Sequence, residues 1–164
     1  MDKLLKVLAA SALVATVLVG CGKKGEDTGA AAEGAKYAKA GLGVVSSYSD
    51  GQVNSTIAAV GLDADGKVQY IDIDVAQSTP GGDAEKTKTK KELKEQYNMK
   101  KASPIKKEWY EQVLTLENYI KENGVDAIKL NNEGKATNED LVTGCTISIS
   151  DMVDAVKEAQ KNAK

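Results

Sequence analysis

An antiparallel β-hairpin between residues 53 and 75 is the sequence feature that most limits the possible folds. Ile71, Ile73 and Val75 alternate with polar neighbours, which is the period of a strand with one face on a core and one in water. Residues 53–62 form a second strand candidate, and the LDADGK segment between the two has the Asp and Gly of a turn. A third strand is predicted at residues 43–48. Such a sheet needs a second layer on its apolar face.

Helical periodicity follows the hairpin in three segments. After a predicted loop at residues 77–89, a helix is expected at residues 90–101. A second helix is marked by Ser103 as N-cap, Pro104 in the first turn and Gly124 as stop. Residues 125–130 favour a short strand and residues 131–138 a polar loop. The last helix opens at Ser148 with Asp151 three residues on, a capping-box pattern. The apolar faces are Ile105, Trp109, Val113, Leu116 and Ile120 in the second helix, and Met152, Val156 and Ala159 in the last. The predicted fold is α+β, a small antiparallel sheet packed by about three helices.

The first 21 residues have the anatomy of an export signal. Lysines at positions 3 and 6 precede a small, apolar run that ends Leu18, Val19, Gly20, Cys21. This run is shorter than the ~20 residues that span a bilayer. We predict a lipoprotein signal peptide at residues 1–20 and a diacylglyceryl anchor on Cys21 that holds the chain on the outer face of the cell membrane. Residues 21–40, rich in Gly, Ala and charge, predict a flexible tether, and residues 41–164 the folded domain.

The composition excludes several kinds of site. The chain has no histidine and no arginine, which excludes Ser/His/Asp triads and His-bearing metal sites. Of its two cysteines the anchor uses Cys21, so Cys145 has no partner for a disulfide or a CxxC motif. A net charge of −2 with mixed signs argues against a nucleic-acid partner. Asp63 and Asp65 lack the spacing and closing glutamate of a calcium loop, so no metal site is predicted.

Residues 140–146, DLVTGCT, lie between the polar loop and the last helix. They resemble the flavinylation motif of the bacterial FMN-binding domain family: an aspartate, two variable residues, Ser or Thr, Gly, a small residue and a final Thr. Residues 79–82, TPGG, resemble a loop that many of those domains carry after their third strand. The resemblance covers roughly residues 41–163, and residues 88–112 resemble a subgroup of poorly characterised lipoproteins of Gram-positive anaerobes.

The resemblance implies a role for each motif residue. It implies that Thr146 accepts FMN through a phosphoester bond made by an FAD-dependent flavin transferase. Asp140 is then the acidic motif residue, Thr143 and Gly144 form the turn before the acceptor, and Cys145 occupies a position that usually holds Ala or Ser. A hydroxyl just before a helix would place the phosphate near free N–H groups and the positive end of the helix dipole.

The function that this resemblance implies is a membrane-anchored, extracytoplasmic flavoprotein that carries electrons between a membrane flavin or quinone reductase and an external acceptor. It is an electron-transfer carrier rather than a stand-alone enzyme, and FMN supplies its redox chemistry. Without arginine, the phosphate contacts must come from backbone N–H groups, hydroxyls or lysine.

Alternative interpretations of the same residues stay open. Thr146 and Ser148 could simply cap the last helix, and the chain would then be a cofactor-free surface lipoprotein with a binding or structural, antigen-like role. A hydrolase is disfavoured because no nucleophile has a histidine base. Cys145 fits a buried small residue better than a redox thiol. Trp109 fits the core better than a flavin-stacking role, with Tyr110 at its margin.

Overall fold

Three antiparallel strands form a meander in the order β1-β2-β3 in the computed structural model, which describes residues 37–49, 51–78 and 88–164. The strands are β1 (Lys39–Ser49), β2 (Gln52–Leu62) and β3 (Val68–Ser78). In the turn after β2, the Asp63 carboxylate accepts hydrogen bonds from the N–H groups of Lys67 (2.9 Å) and Asp65 (3.0 Å). The predicted hairpin and third strand are confirmed.

The helical layer covers one face of this sheet. It comprises α1 (Lys90–Leu93), 3₁₀ turns at Lys94–Tyr97, Met99–Lys101 and Val125–Ala127, α2 (Trp109–Asn123), α3 (Glu139–Val142) and α4 (Ser150–Asn162). α4 packs on β1 and β2, and α2 packs on β3. Gly41 and Gly43 permit the contact with α4, because a Cβ atom at either position would overlap a carbonyl oxygen of the helix. The predicted α+β class is confirmed.

The core lies between the sheet and the two long helices. It contains alternate residues of β2, four residues of β3 and the apolar faces predicted for the helices, except Ile105, which precedes α2 and lies outside the core. Its largest fully buried side chains include Trp109, Ile73, Leu116, Ile120 and Val113. The core interpretation of Trp109 is therefore confirmed.

The helical layer covers part of both edges of the sheet. On β1, the Val44 N–H donates to Glu158 (3.3 Å), the Leu42 carbonyl accepts from Asn162 (3.0 Å), and the backbones of Ala40 and Lys164 pair with each other. On β3, the Ile73 N–H donates to Glu117 of α2 (2.7 Å). These contacts occupy backbone groups that would otherwise be open to pairing with another strand.

The predicted start of the second helix at Ser103 is wrong. The helix begins at Trp109, after Glu108, whose N–H donates to the Glu111 side chain (2.7 Å). Lys106 has a positive φ of 54°, which interrupts a helix at that point. The Ser103 hydroxyl, predicted as the cap, is buried and accepts a hydrogen bond from Gln112 instead.

The predicted start of the last helix at Ser148 is also wrong, because α4 begins at Ser150. Its N-cap is Ile149, whose aliphatic side chain cannot form a hydrogen bond to the first turn. Asp151 does not complete a capping box, and its carboxylate accepts a hydrogen bond from Ser47 of β1 (3.3 Å). The first turn of α4 thus contacts β1 through Asp151 and Ser47.

Three other element boundaries differ from the sequence predictions. The helix expected at residues 90–101 ends at Leu93, since Lys94 and Asn98 have positive φ values of 47° and 59°. Residues 125–130 form a 3₁₀ turn and one β-bridge from Leu130 to Ala136 rather than a strand. β3 continues to Ser78, into the predicted loop.

The amino-terminal boundary of the fold precedes the predicted one. β1 begins at Lys39, within the predicted tether of residues 21–40, and the Tyr37 ring lies 5.8 Å from the Tyr70 ring. The predicted signal peptide, Cys21 and the TPGG segment of residues 79–82 lie outside the described residues. Among the helices that are described, none has the length and apolar character to cross a membrane.

Candidate functional site

Thr146 lies in the segment between α3 and α4, half-buried at the wall of a cavity of about 230 Å³. Its N–H donates to the Gln112 side-chain oxygen at 3.0 Å, and its hydroxyl donates to the same oxygen at 3.3 Å. Ser103, Pro104 and Lys135 also line the cavity. The proposed acceptor hydroxyl therefore stands at an opening and is held from behind by α2.

Gln112 is the residue that fixes this hydroxyl. Its side chain is fully buried, and its amide nitrogen donates to the Ser103 hydroxyl and the Lys107 carbonyl, both at 3.2 Å. Each side of the amide therefore has partners, which sets the orientation of its oxygen towards Thr146. The amide does not titrate, so it orients the hydroxyl and takes no proton from it.

Sequence reasoning missed Gln112, although one signal was present. Residue 112 lies on the apolar face of α2, three residues after Trp109 and next to Val113. A polar side chain at such a position must find a partner inside the fold. Its partner is 34 residues away in sequence, so no local pattern could have identified Thr146 as the contact.

The first half of the motif builds a turn and does not line the cavity. Asp140 and Thr143 are exposed at α3, and the Thr143 hydroxyl donates to the Asp140 carbonyl at 2.8 Å. The Asp140 carboxylate accepts from the N–H of Leu141 at 3.0 Å. The structure thus brings these two residues together and uses them to close the short helix before Thr146.

Gly144 and Cys145 hold the motif against α2. A Cβ atom at position 144 would lie 2.6 Å from the Thr115 methyl group, so only glycine fits there without a shift. Cys145 is 1% exposed, and burial raises the pKa of its thiol to about 11. A thiol that stays protonated at neutral pH is a poor nucleophile. This agrees with the interpretation of Cys145 as a buried small residue.

A second cavity of about 240 Å³ lies at the amino-terminal end of α4. Ser148, Ser150 and Asp151 line it from the helix side, together with Lys90 and residues of the sheet. Thr146 lies four residues before the helix and opens to the first cavity. The acceptor was expected next to the helix terminus, but Thr146 lies in a different cavity from the helix start. Ser148, Ser150 and Lys90 surround the helix start, whereas Lys135 and Ser103 line the cavity of Thr146.

The residues around the first cavity suit an anionic group. Lys135 lines this cavity together with Thr146, and its ammonium lies 2.8 Å from the carboxylate of the exposed Glu133. Each cavity is smaller than the roughly 300 Å³ at which ligand pockets usually begin, so each can receive part of a nucleotide-sized cofactor but neither encloses it whole.

The fold and site define a small α+β domain with a held threonine hydroxyl at a cavity, preceded by a glycine-containing turn. The model of the FMN-binding domain family matches residues 54–161, well over half of the chain. The chain belongs to the FMN-binding domain family, and FMN is its cofactor. No curated protein and no solved structure matches the chain.

Proposed function

We propose that the domain carries FMN through a phosphoester bond to Thr146 and transfers electrons at the outer face of a membrane, to which lipidated Cys21 anchors it. The observation that carries the proposal is the position of the Thr146 hydroxyl, which lines a cavity while Gln112 holds it. The family match supports FMN as the cofactor. When bound, FMN supplies the redox chemistry, and the chain binds and orients it.

The attachment step uses FAD and a separate flavin transferase. The Thr146 oxygen forms a bond to the phosphorus on the flavin side of FAD, the pyrophosphate bond breaks, and AMP leaves. The threonine proton is released. Gln112 supports this step by holding the hydroxyl at the cavity. After the hydroxyl proton is lost, the Gln112 side-chain oxygen still accepts a hydrogen bond from the Thr146 N–H.

The anchor and tether are the second part of the proposal. Lysines at positions 3 and 6, the apolar run and Cys21 support export and acylation. With two or three acyl chains, the protein stays stably on the bilayer. About 17 residues between Cys21 and β1 give a reach of roughly 20–25 Å in the flexible-coil regime. The domain can thus meet a membrane flavin or quinone reductase and an external acceptor near the surface.

The test is the intact mass and visible spectrum of the full chain, produced with a flavin transferase in a secreting bacterium. We expect the processed protein to gain the mass of FMN less water and to show flavin absorbance. Thr146→Ala should lose both. Thr137→Ala is the matched control, because Thr137 is exposed and its hydroxyl donates only to the Lys129 carbonyl (3.3 Å). Flavin that persists in Thr146→Ala would place the attachment elsewhere.

A cofactor-free surface lipoprotein is the second candidate. The observation in its favour is that Thr146 already has a hydrogen-bond partner inside the fold, as a purely structural threonine would. A colourless chain of unmodified mass, recovered beside a flavinylated control protein from the same host, would support this candidate.

A further inference from the structure

The outward face of β1 and β2, here called the open face, carries no charged side chain. The solvent-exposed face of an antiparallel sheet usually carries polar residues. On this face, however, Leu42, Val44 and Tyr48 are 55%, 46% and 69% exposed. Apolar surface gathered in this way marks an interaction site. The outward residues of the two strands are Ala40, Leu42, Val44, Ser46, Tyr48, Val53, Ser55, Ile57, Ala59 and Gly61.

Charge begins on β3, where Asp72 and Asp74 face outward beside Ala59 and Ile57 of β2. Asp72 pairs with Lys91 of α1, and the Asp74 carboxylate accepts from the N–H groups of Val75 and Lys91. Leu42, Val44 and Tyr48 on β1 are one strand further away, so this half of the open face can leave water while β3 stays hydrated, and no ion is desolvated at a cost of several kcal/mol.

The chain enters the domain at the open face. The Tyr37 ring covers Gly61, where an added Cβ atom would lie 2.7 Å from the ring, and it lies 5.8 Å from the Tyr70 ring. Thirty-six residues precede Tyr37, and the last fifteen of them, GKKGEDTGAAAEGAK, are small or charged. The only apolar side chains of this segment are the methyl groups of its four alanines, which are too small to cover Leu42 and Val44 well. It does keep the face within a short reach of Cys21.

Pairing with a second copy through the sheet edge is disfavoured by the same structure. Glu158, Asn162 and Lys164 occupy outer backbone groups of β1 at Val44, Leu42 and Ala40, in the first half of the strand. What the open face offers is a surface of aliphatic side chains bordered by tyrosines, the composition that suits the boundary between lipid and water.

We propose that the open face docks on the lipid bilayer that holds the anchor, with the helical layer turned towards the medium. The proposal rests on the proposed acylation of Cys21. The tether makes docking an intramolecular event, so a weak surface affinity is sufficient. Docking would direct Thr146, which lies in the helical layer, to the side away from lipid.

The test places an environment-sensitive fluorophore on the acylated full chain in vesicles of phosphatidylcholine and phosphatidylglycerol. Labels go on Val44→Cys or Tyr48→Cys in the open face, and on Leu114→Cys as the control. Leu114 is exposed to a similar degree, 53%, but lies on α2. Cys145 is buried and stays unlabelled in the folded protein.

We expect labels at 44 and 48 to shift to the blue and to be quenched by spin-labelled lipid at least about twofold more than the label at 114. Equal quenching at all three positions overturns the proposal. A blue shift without lipid quenching also overturns the proposal. If that blue shift persists when the protein is diluted with lipid, another part of the same chain covers the open face. If the blue shift disappears on dilution, a second copy of the chain covers it. Intact mass reports the anchor separately, because an unacylated Cys21 overturns the anchor and the docking together, whereas an acylated chain with equal quenching overturns the docking alone.

Discussion

At the scale of single residues, the candidate site depends on a buried amide behind a hydroxyl. Gln112 accepts both hydrogen bonds that Thr146 donates and anchors its own nitrogen on the 103–107 segment. An oriented nucleophile reacts faster because less freedom is lost on reaching the transition state. Under the proposed function, the amide is a positioning residue for FMN attachment.

Replacing Gln112 by Met should slow flavin attachment. Met has a similar length but cannot accept from Thr146, and the loss of two hydrogen bonds of about 1 kcal/mol each predicts roughly thirtyfold slower modification. The measurement is the initial rate of FMN incorporation with purified transferase and FAD. Gln160→Met is the matched control, since it makes the same exchange in the last turn of α4 and not at Thr146. A Gln112→Met chain that is modified at the wild-type rate would show that the amide is only structural.

The buried thiol of Cys145 should make the protein sensitive to alkali. Its pKa is raised to about 11 by burial, whereas an unfolded chain has a thiol pKa near 8.5. The folded pKa is the higher one, so the stabilisation is fully present below ~8.5 and is lost as pH rises towards the folded value. Between pH 8 and pH 11 the thiol alone should remove up to roughly 3 kcal/mol from the free energy of unfolding.

The measurement for Cys145 is urea unfolding under reducing conditions at several pH values. Cys145→Ala should lose less stability over the same interval, because alanine does not ionise. Lysines and tyrosines titrate in both proteins, so the difference between the two isolates the thiol. Parallel curves would contradict this prediction.

At the scale of elements, the second layer stabilises the sheet through its edges as well as through its apolar face. Glu117 of α2 is 5% exposed and accepts from the Ile73 N–H of β3 and from Lys91 of α1 (2.6 Å). Burial disfavours the charge of Lys91, but hydrogen bonds to Asp72 and Glu117 outweigh it and raise the pKa of the lysine. One carboxylate thus joins a strand edge and two helices.

Replacing Glu117 by Leu should destabilise the fold by about 2–4 kcal/mol, since it leaves the buried Ile73 N–H without a partner and removes one of the two carboxylates that bind the half-buried Lys91 ammonium. Glu117→Gln is the matched control: it keeps an acceptor for Ile73 and removes only the charge opposite Lys91, so it should cost clearly less. The measurement is the free energy of unfolding in urea. Equal losses would show that charge pairing, not the strand-edge hydrogen bond, dominates.

Elements with a strong hydrophobic period were predictable, and their ends were not. The alternation at Ile71, Ile73 and Val75 and the stripe of α2 depend on burial, which the sequence displays directly. The start of α2 was missed because Ser103, a good N-cap by type, is recruited by Gln112. In the site, a motif identified Thr146, whereas Gln112 is positioned by tertiary packing that no local pattern encodes.

At the scale of the whole domain, the tether and the candidate site lie at opposite ends of the sheet. Residues 37–40 meet Leu62 and the carboxyl-terminal Lys164 at one end. Ser47 and Asn54 meet the start of α4 and the second cavity at the other. Eleven residues of strand separate the ends by about 30 Å. The start of α4 and the second cavity are therefore well away from the point where the tether enters the sheet.

Truncation tests where the domain begins. A chain that starts at residue 37 keeps the Tyr37 ring on Gly61 and Tyr70, the Ala38 N–H on the Leu62 carbonyl (2.7 Å) and the backbone pair of Ala40 with Lys164. A chain that starts at residue 41 loses all three and exposes the end of β1. We expect it to be less stable by about 2–4 kcal/mol, from one partly buried aromatic ring and the lost hydrogen bonds.

Urea unfolding of the two chains measures that difference, and Tyr37→Ala in the longer chain separates the ring from the backbone pairs. If the shorter chain also aggregates more readily, the Ala40 to Lys164 pair protects the β1 edge, as its position implies. Equal stability of the two chains would return residues 37–40 to the tether. The unfolding free energies therefore decide where the segment that leads towards Cys21 begins: directly at the sheet, or after a flexible joint at residues 37–40. A flexible joint would let the domain turn its open face more freely than a direct connection to the sheet.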